Sequence, residues 1–213
     1  MTQPTPDLHA ETIDGQPVPT KATIAGLHEK LLPYMRETPV FTRNDFPTLG
    51  DTQVTFKYEL LQASGTFKAR GAFSNLLSLD ETQRKAGVTC VSAGNHAVAV
   101  AYAAQAMGIG AKTVMLKTAS PARSSLCREY GADLILAENV HEAFDVVKRV
   151  EQEEGRYFVH PFNGYRTVLG TATLGYEWAR QAPDLDAVIV PIGGGGLIAG
   201  VATAFKLFAP HVK

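Results

Sequence analysis

The stretch V-T-C-V-S-A-G-N-H-A-V-A-V-A-Y-A-A-Q-A-M, at residues 88–107, contains a short β-branched run, a polar turn and a helical pattern. The first four residues are typical of a buried strand, and residues 95–107 predict a helix. A polar turn between a strand and a helix leaves backbone N–H groups free at the start of the helix. Such groups bind anions, so the S-A-G-N-H turn at residues 92–96 predicts a site for a carboxylate or a phosphate.

Outward from this stretch, β-branched runs and helical patterns continue to alternate. Predicted strands lie at residues 54–58, 88–91, 113–116, 133–136, 157–159 and 187–191. Predicted helices lie at residues 22–34, 67–79, 95–107, 121–130, 141–153, 166–181 and 197–208. Strands separated by crossover helices favour a parallel sheet with helices on both faces. The predicted fold class is therefore a three-layer α/β fold.

A second polar turn, S-G-T-F-K-A-R-G at residues 64–71, places Lys68 at the opening of a predicted helix. A lysine amine is a useful nucleophile only when part of its population is neutral, which requires burial or nearby positive charge. Phe67 and the small neighbouring residues fit a partly buried setting. Lys68 is thus a candidate for forming a Schiff base with an aldehyde cofactor, although a single lysine is more often a solvated surface residue.

A run of glycines, G-G-G-G-L at residues 193–197, follows the apolar segment 187–192 and precedes the last predicted helix. Glycines let a backbone approach a phosphate closely. The sequence lacks the G-x-G-x-x-G spacing and the Walker pattern at this turn, so a dinucleotide or a nucleoside triphosphate is not favoured. A single phosphate monoester is the simpler ligand, and a tight turn without a ligand is the alternative.

Composition limits the classes of function. The chain has 213 residues, of which 45% are hydrophobic and 19% charged, and its formal net charge is -1. The balanced charge argues against nucleic acid and anionic membrane as partners. The sequence has neither a secretory signal pattern nor an apolar segment of roughly 18 to 20 residues, which favours a cytoplasmic protein without a membrane partner. No metal-binding pattern is present in it.

Together, the three motifs, in this order along the chain, resemble the fold type II pyridoxal-phosphate enzymes, and within them the serine/threonine dehydratases and serine racemases. The resemblance covers residues 24–213. It implies a tryptophan synthase beta-like fold, pyridoxal 5'-phosphate as the cofactor, an amino acid substrate and a homo-oligomer, either a dimer or a tetramer. One departure is visible, because residues 170–173 read G-T-A-T where many relatives read G-Q-G-T.

The resemblance also implies a division of the chain. Residues 1–68 and 160–213 would belong to a large cofactor domain, and residues 69–159 would form a small inserted α/β domain. The large domain of the family continues beyond the equivalent of Lys213, so the chain is expected to be truncated at its C-terminus. Its sheet would then be left with an open edge.

The same resemblance implies a role for each motif. Lys68 would anchor the cofactor and act as general base toward the Cα proton, with Phe67 packed beside it. Asn95 would bind the ring oxygen of the cofactor. Backbone N–H groups would hold its phosphate at Gly193, Gly194, Gly195, Gly196 and Leu197. The substrate carboxylate would be held at Ser92, Ala93, Gly94, Asn95 and His96.

These roles imply a dehydratase that converts L-threonine or L-serine into a 2-oxo acid and ammonia. His96 favours the dehydratase and racemase branch, because relatives that make cysteine or threonine tend to have threonine there. Serine racemases have a serine at the position of Ala93, and a methyl group cannot donate a proton, so elimination is favoured over racemisation. Two alternatives stay open: a serine or hydroxyaspartate racemase that uses another acid, and a catalytically silent fragment that retains the motifs.

Overall fold

Eight strands and eight α-helices follow one another through residues 12–213, which are the residues that the computed structural model describes. The strands are β1 (Thr12–Ile13), β2 (Gln16–Pro17), β3 (Val40–Arg43), β4 (Val54–Lys57), β5 (Val88–Val91), β6 (Ala111–Leu116), β7 (Asp133–Ala137) and β8 (Tyr157–Phe158). The helices are α1 (Lys21–Leu31), α2 (Lys68–Leu77), α3 (Glu81–Ala86), α4 (Asn95–Ala106), α5 (Pro121–Glu129), α6 (Val140–Glu154), α7 (Tyr165–Gln181) and α8 (Gly196–Phe208).

A parallel sheet in the order β7-β6-β5-β8 lies at the centre of the α/β part of the chain. Because side chains alternate along a strand, neighbouring residues face opposite layers. Val91 and Val114 are paired across β5 and β6 and pack with Ala143 and Val147 of α6. The opposite face of these strands packs against α4 and α5. The chain thus has the α/β fold with helices on both faces of a parallel sheet.

Local signals in the sequence set several helix ends. The side chain of Asp80 accepts a hydrogen bond from Gln83 N, and Asn139 does the same for Glu142 N, so both residues cap the helix that follows. Helix α5 is followed by Tyr130 and then by Gly131. Gly131 has a φ of 76°, a left-handed conformation that glycine adopts without strain.

The predicted strand at residues 54–58 is present, but it lies outside the parallel sheet. β4 pairs in the antiparallel direction with β3, with Val40 opposite Lys57 and Arg43 opposite Val54. Only a short connection separates the two strands. Parallel pairing needs a long crossover, usually a helix, so the short connection permits only the antiparallel arrangement.

The predicted strand at residues 187–191 is wrong. This segment is irregular in the structure, although Val188 N donates to Lys213 O and Lys213 N donates to Asp186 O, both at 2.9 Å. A strand requires a neighbouring ladder of hydrogen bonds, which apolar composition cannot supply by itself. Ile189 is accordingly 93% exposed.

Helix α7 lies directly between α2 and α8. A Cβ atom added at Gly170 of α7 would lie 2.5 Å from Arg70 O of α2. A Cβ atom added at Gly200 of α8 would lie 2.5 Å from Ala172 N of α7. Both distances are far inside van der Waals contact, so the backbones of the three helices approach closely. The position of α2 relative to α8 is therefore set by α7.

All four strands of the parallel sheet lie between residues 88 and 158, whereas α1, α7 and α8 pack together outside it. The domain boundaries at residues 68/69 and 159/160 stay a prediction. Residues 1–11 of the predicted N-terminal part lie outside the described residues. Within residues 12–213, none of the helices has the length and apolar character that crossing a membrane requires.

Candidate active site

Lys68 is the first residue of α2 and follows a turn with unusual backbone geometry. Ser64 and Gly65 have φ values of 63° and 76°, which turn the chain sharply before the helix begins. The Nζ atom of Lys68 donates a hydrogen bond to Pro161 O and lies 5.2 Å from the centre of the Phe67 ring. Burial lowers the pKa of Lys68. A neutral amine is therefore more accessible here than on a solvated lysine.

The S-A-G-N-H turn connects β5 to α4, as the sequence predicts. Ser92 Oγ accepts a hydrogen bond from Gly94 N at 3.2 Å, and Asn95 is the first residue of the helix. The Oδ1 atom of Asn95 is buried and has no hydrogen-bond partner among residues 12–213. Buried polar atoms are almost always paired. Asn95 is therefore available to form a hydrogen bond with a bound ligand.

His96 is fully enclosed and makes one hydrogen bond, between its Nε2 atom and Val159 O at 2.9 Å. Since a carbonyl oxygen only accepts, Nε2 carries the proton. Burial lowers the pKa of His96 to about 4. The imidazole is neutral at pH 7, so it does not offer a positive charge to a carboxylate.

The glycine run ends at the start of α8. Gly195 has a φ of 86°, and the first hydrogen bond of the helix runs from Ala199 N to Gly195 O at 3.0 Å. The N–H groups of Gly196, Leu197 and Ile198 come before that bond and point out of the helix end. An added Cβ at Gly194 would lie 2.6 Å from Cδ1 of Phe162, so the aromatic ring packs on the glycine backbone.

One cavity brings part of the predicted set together. Its walls include Lys68, Phe67, His96, Gly196 and Leu197. The other predicted residues do not line it, and Ala93, Gly193 and Gly194 are exposed at the surface. The remaining ones are partly buried in the two turns, namely Ser92, Gly94, Asn95 and Gly195.

The cavity also contains residues to which the sequence assigned no role, among them His160, Phe162 and Thr171. His160 Nδ1 accepts hydrogen bonds from Asn163 N at 3.0 Å and Phe162 N at 3.3 Å, so its neutral form carries the proton on Nε2. Burial and then the charge of Lys68 lower the pKa of His160. The G-T-A-T departure, which includes Thr171, was the sequence signal for this wall.

A buried ion-pair network joins α7 to α2 and to the end of β4. Glu177 of α7 pairs with Lys57 and with Arg70, the latter at 3.0 Å, and Arg70 also pairs with Glu59 at 2.7 Å. Burial opposes the charge of Glu177, but Arg70 and Lys57 keep the pKa of this carboxyl below its ordinary value. Arg70 lies two residues after Lys68, so the network holds α2 in place near Lys68.

These features fit an aldehyde cofactor with a phosphate group. The desolvated amine of Lys68 can bind the aldehyde, and the free N–H groups at the start of α8 suit a phosphate. Asn95 Oδ1 has no hydrogen-bond partner in the described part of the chain. Among the described residues, no group of three or more histidine, cysteine or acidic side chains is arranged to hold a metal ion.

Comparison with known proteins identifies a family that uses a cofactor of this kind. The model of the family described as "Pyridoxal-phosphate dependent enzyme" matches residues 31–213. Phenylserine dehydratase of Ralstonia pickettii is 69% identical over 201 residues, which is 94% of this chain and 62% of that protein. L-threonine ammonia-lyase of Thermotoga maritima is 44% identical over 162 residues, or 76% of this chain and 40% of that protein. The structure of maize serine racemase matches with a TM-score of 0.87 and 36% identity over 91% of this chain and 59% of the other.

Proposed function

This chain belongs to the pyridoxal-phosphate dependent enzyme family, and on that premise we propose that it dehydrates and deaminates a β-hydroxy amino acid, with 3-phenylserine as the preferred substrate. Its cofactor is pyridoxal phosphate. The chain spans 62% of the length of the phenylserine dehydratase that it matches. The observation that carries the proposal is the desolvated amine of Lys68 in a cavity that also contains the start of α8.

The cofactor supplies an electron sink next to the Cα atom of the substrate. Within the proposal, Lys68 binds the cofactor and its Nζ atom then takes the Cα proton. The N–H groups of Gly196 and Leu197 hold the phosphate, and Asn95 contacts the cofactor ring. The S-A-G-N-H turn binds the substrate carboxylate through backbone and side-chain donors, whereas the neutral His96 supports the turn through Val159.

The net reaction with 3-phenylserine gives phenylpyruvate and ammonia. Loss of the Cα proton and of the β-hydroxyl group releases water, and hydrolysis of the resulting enamine consumes water. Ala93 places only a methyl group where serine racemases have a hydroxyl, so a proton donor is missing from that side chain. This supports elimination over the racemase alternative.

Two observations favour an aromatic substrate over L-threonine or L-serine. The phenylserine dehydratase is much more similar to this chain than the threonine ammonia-lyase is. In addition, the rings of His160 and Phe162 both line the cavity and pack edge to face, with a centroid distance of 4.7 Å. Edge-to-face packing of this kind accommodates a further phenyl ring. L-threonine and L-serine are the second candidates.

The test combines cofactor absorbance with product analysis. The purified chain is loaded with pyridoxal phosphate and given 3-phenylserine, L-threonine and L-serine in parallel. We expect equal amounts of 2-oxo acid and ammonia, with the highest kcat/KM for 3-phenylserine. Lys68→Ala serves as the inactive control. A D-amino acid as the main product would favour the racemase, and a chain that binds the cofactor without turnover would favour the silent fragment.

We also propose that the protein is cytoplasmic and assembles as a dimer or tetramer. The cytoplasmic location is supported by the composition of the sequence, and the dimer or tetramer is supported by the family resemblance. Light scattering of the loaded protein would measure the assembly, and a monomeric mass would contradict it.

A further inference from the structure

Thr171 lies where this chain departs from the G-Q-G-T pattern of many relatives. It belongs to α7, lines the cavity and is 2% exposed. Its Oγ1 atom lies 2.8 Å from Gly196 O, 3.0 Å from Thr167 O and 3.1 Å from Val168 O. A hydroxyl group has one proton and carbonyl oxygens only accept, so Thr171 donates to one of the three at a time.

The geometry favours Gly196 as the acceptor. Its oxygen is the nearest of the three. The Thr167 and Val168 oxygens lie in the same helix as Thr171, where a threonine commonly reaches the carbonyl of the preceding turn. Gly196, in contrast, is 25 residues away in sequence and begins α8. The hydroxyl of Thr171 therefore joins the middle of α7 to the first turn of α8.

The packing leaves this first turn little freedom. A Cβ added at Gly200, one turn further along α8, would overlap Thr171 Oγ1 and lie 2.6 Å from Val168 O. A Cβ added at Gly196 would overlap Phe162 O on the other side. The start of α8 is thus enclosed between Thr171 and the turn at Phe162.

We infer that Thr171 is a positioning residue for the cofactor phosphate, an inference that rests on the proposed function. The carbonyl of Gly196 and the N–H of Leu197 belong to the same peptide unit, which is planar, so the two groups point in opposite directions. Fixing the Gly196 oxygen on Thr171 therefore fixes the direction of the Leu197 N–H. That N–H is one of the donors at the helix start that a phosphate would meet.

The test compares two ligands on three variants. Thr171→Val removes the hydroxyl and keeps the shape, Thr171→Ser keeps the hydroxyl, and Thr203→Val is the matched control. Thr203 Oγ1 also donates to a helix carbonyl, Ala199 O at 2.7 Å, but within α8 alone. Binding of pyridoxal phosphate and of phosphate-free pyridoxal is followed by absorbance. Hydrogen exchange of peptides covering residues 193–201 is measured on the cofactor-free chain.

We expect Thr171→Val to weaken pyridoxal phosphate binding roughly three- to tenfold, the range of one ordinary hydrogen bond, and to leave pyridoxal binding unchanged. Thr171→Ser should bind within about twofold of the parent chain, as should Thr203→Val. Exchange at residues 193–201 should be faster in Thr171→Val only. Equal losses for both ligands would mean a merely structural role and would overturn the inference.

The two proposals fail in different ways. If the parent chain binds pyridoxal phosphate but converts no β-hydroxy amino acid, the proposed reaction is wrong and the role of Thr171 in phosphate binding stands. If the parent chain binds neither ligand, the proposed function is wrong, and hydrogen exchange alone decides the link between Thr171 and Gly196. Unchanged exchange in Thr171→Val would then contradict that link.

Discussion

At the scale of single residues, Lys68 differs from other lysines in what its amine contacts. The Nζ atom of Lys68 has one backbone carbonyl as its partner, Pro161 O. The Nζ atom of Lys57 has three acceptors, on Thr38, Glu177 and Gln181. An amine that is already held by a carboxylate and two further oxygens is not available for an aldehyde. Burial alone would not have separated these two lysines, because it lowers the pKa of both.

We therefore expect Lys68 to be the cofactor anchor. Borohydride reduction of the loaded protein followed by peptide mapping should find the reduced cofactor–lysine adduct at Lys68, because its amine is desolvated and has no carboxylate partner within residues 12–213. Lys68→Ala should give no stable adduct under the same conditions. An adduct at Lys57, or at Lys112 on the surface, in the parent chain would contradict the assignment.

The buried His96 makes stability depend on pH. Its pKa is about 4 in the folded chain and about 6.5 in an unfolded one, so the unfolded state binds more protons between these values. The free energy of unfolding should therefore fall as pH falls from 6.5 to 4, by up to about 3 kcal/mol from this group. Urea unfolding at several pH values measures the slope. His96→Gln, which cannot be protonated, should have a shallower slope, and equal slopes would show that other groups dominate.

The sequence predicts candidate residues that belong to a local turn, and it does not predict the cavity residues that arrive from elsewhere in the chain. The lysine turn and the glycine run each have a recognisable composition. Thr171 and Phe162 reach the cavity only because α7 and the preceding turn pack against α8. No sequence pattern at either position predicts that contact, although Thr171 lies within the G-T-A-T departure.

At the scale of elements, each of the seven predicted helices is present, with ends within about three residues of the prediction. Helix periodicity and caps are local, so the sequence contains this information in each window. The short helix α3 and the strands β1, β2 and β3 were not predicted. The strand predicted at residues 187–191 was wrong because pairing depends on a distant partner strand. The apolar composition of this segment shows that it could pair in a sheet, but it does not show that a partner strand lies beside it.

The closeness of α7 and α8 yields a prediction at this scale. Gly200→Ala should lower the free energy of unfolding by about 1–3 kcal/mol or more, because the new methyl group overlaps the backbone of α7 at Ala172 N and Val168 O. Gly26→Ala is the matched control in α1, where an added Cβ has no neighbour within 4 Å. That change should raise stability by about 0.5–1 kcal/mol, since alanine favours a helix over glycine. Chemical unfolding of both variants gives the comparison, and a neutral Gly200→Ala would mean that the helices separate easily.

At the scale of the whole molecule, the ion-pair network joins parts of the chain that are far apart in sequence. It connects Lys57 at the end of β4, Glu59 just after it, Arg70 in α2 and Glu177 in α7. The backbone N–H of Thr38 also donates to Glu177 at 2.8 Å. The network thus ties the antiparallel strand pair and the lysine helix to the helix that supports the glycine run.

Such a network stabilises the molecule only while it is complete. Lys57 and Glu177 side chains are each 2% exposed, so neither charge can be solvated if its partner is lost. Taking charges out of water is costly, and only pairing and hydrogen bonds offset that cost. The paired charges therefore constrain how α2 and α7 pack, but they add little net stability.

Neutralising the centre of this network should therefore be severe. Glu177→Gln keeps the shape but leaves Arg70 and Lys57 short of negative charge, so we expect the free energy of unfolding to fall by about 3–5 kcal/mol. Glu81→Gln is the matched control, since Glu81 pairs with Lys85 at 3.0 Å on the exposed surface and should change stability by less than about 1 kcal/mol. Denaturant unfolding of the two variants measures both values. Because α2 begins at Lys68, the surviving folded fraction of Glu177→Gln should also bind pyridoxal phosphate more weakly than the parent chain. A variant with normal stability and normal cofactor binding would show that the network neither stabilises the fold nor positions the lysine helix.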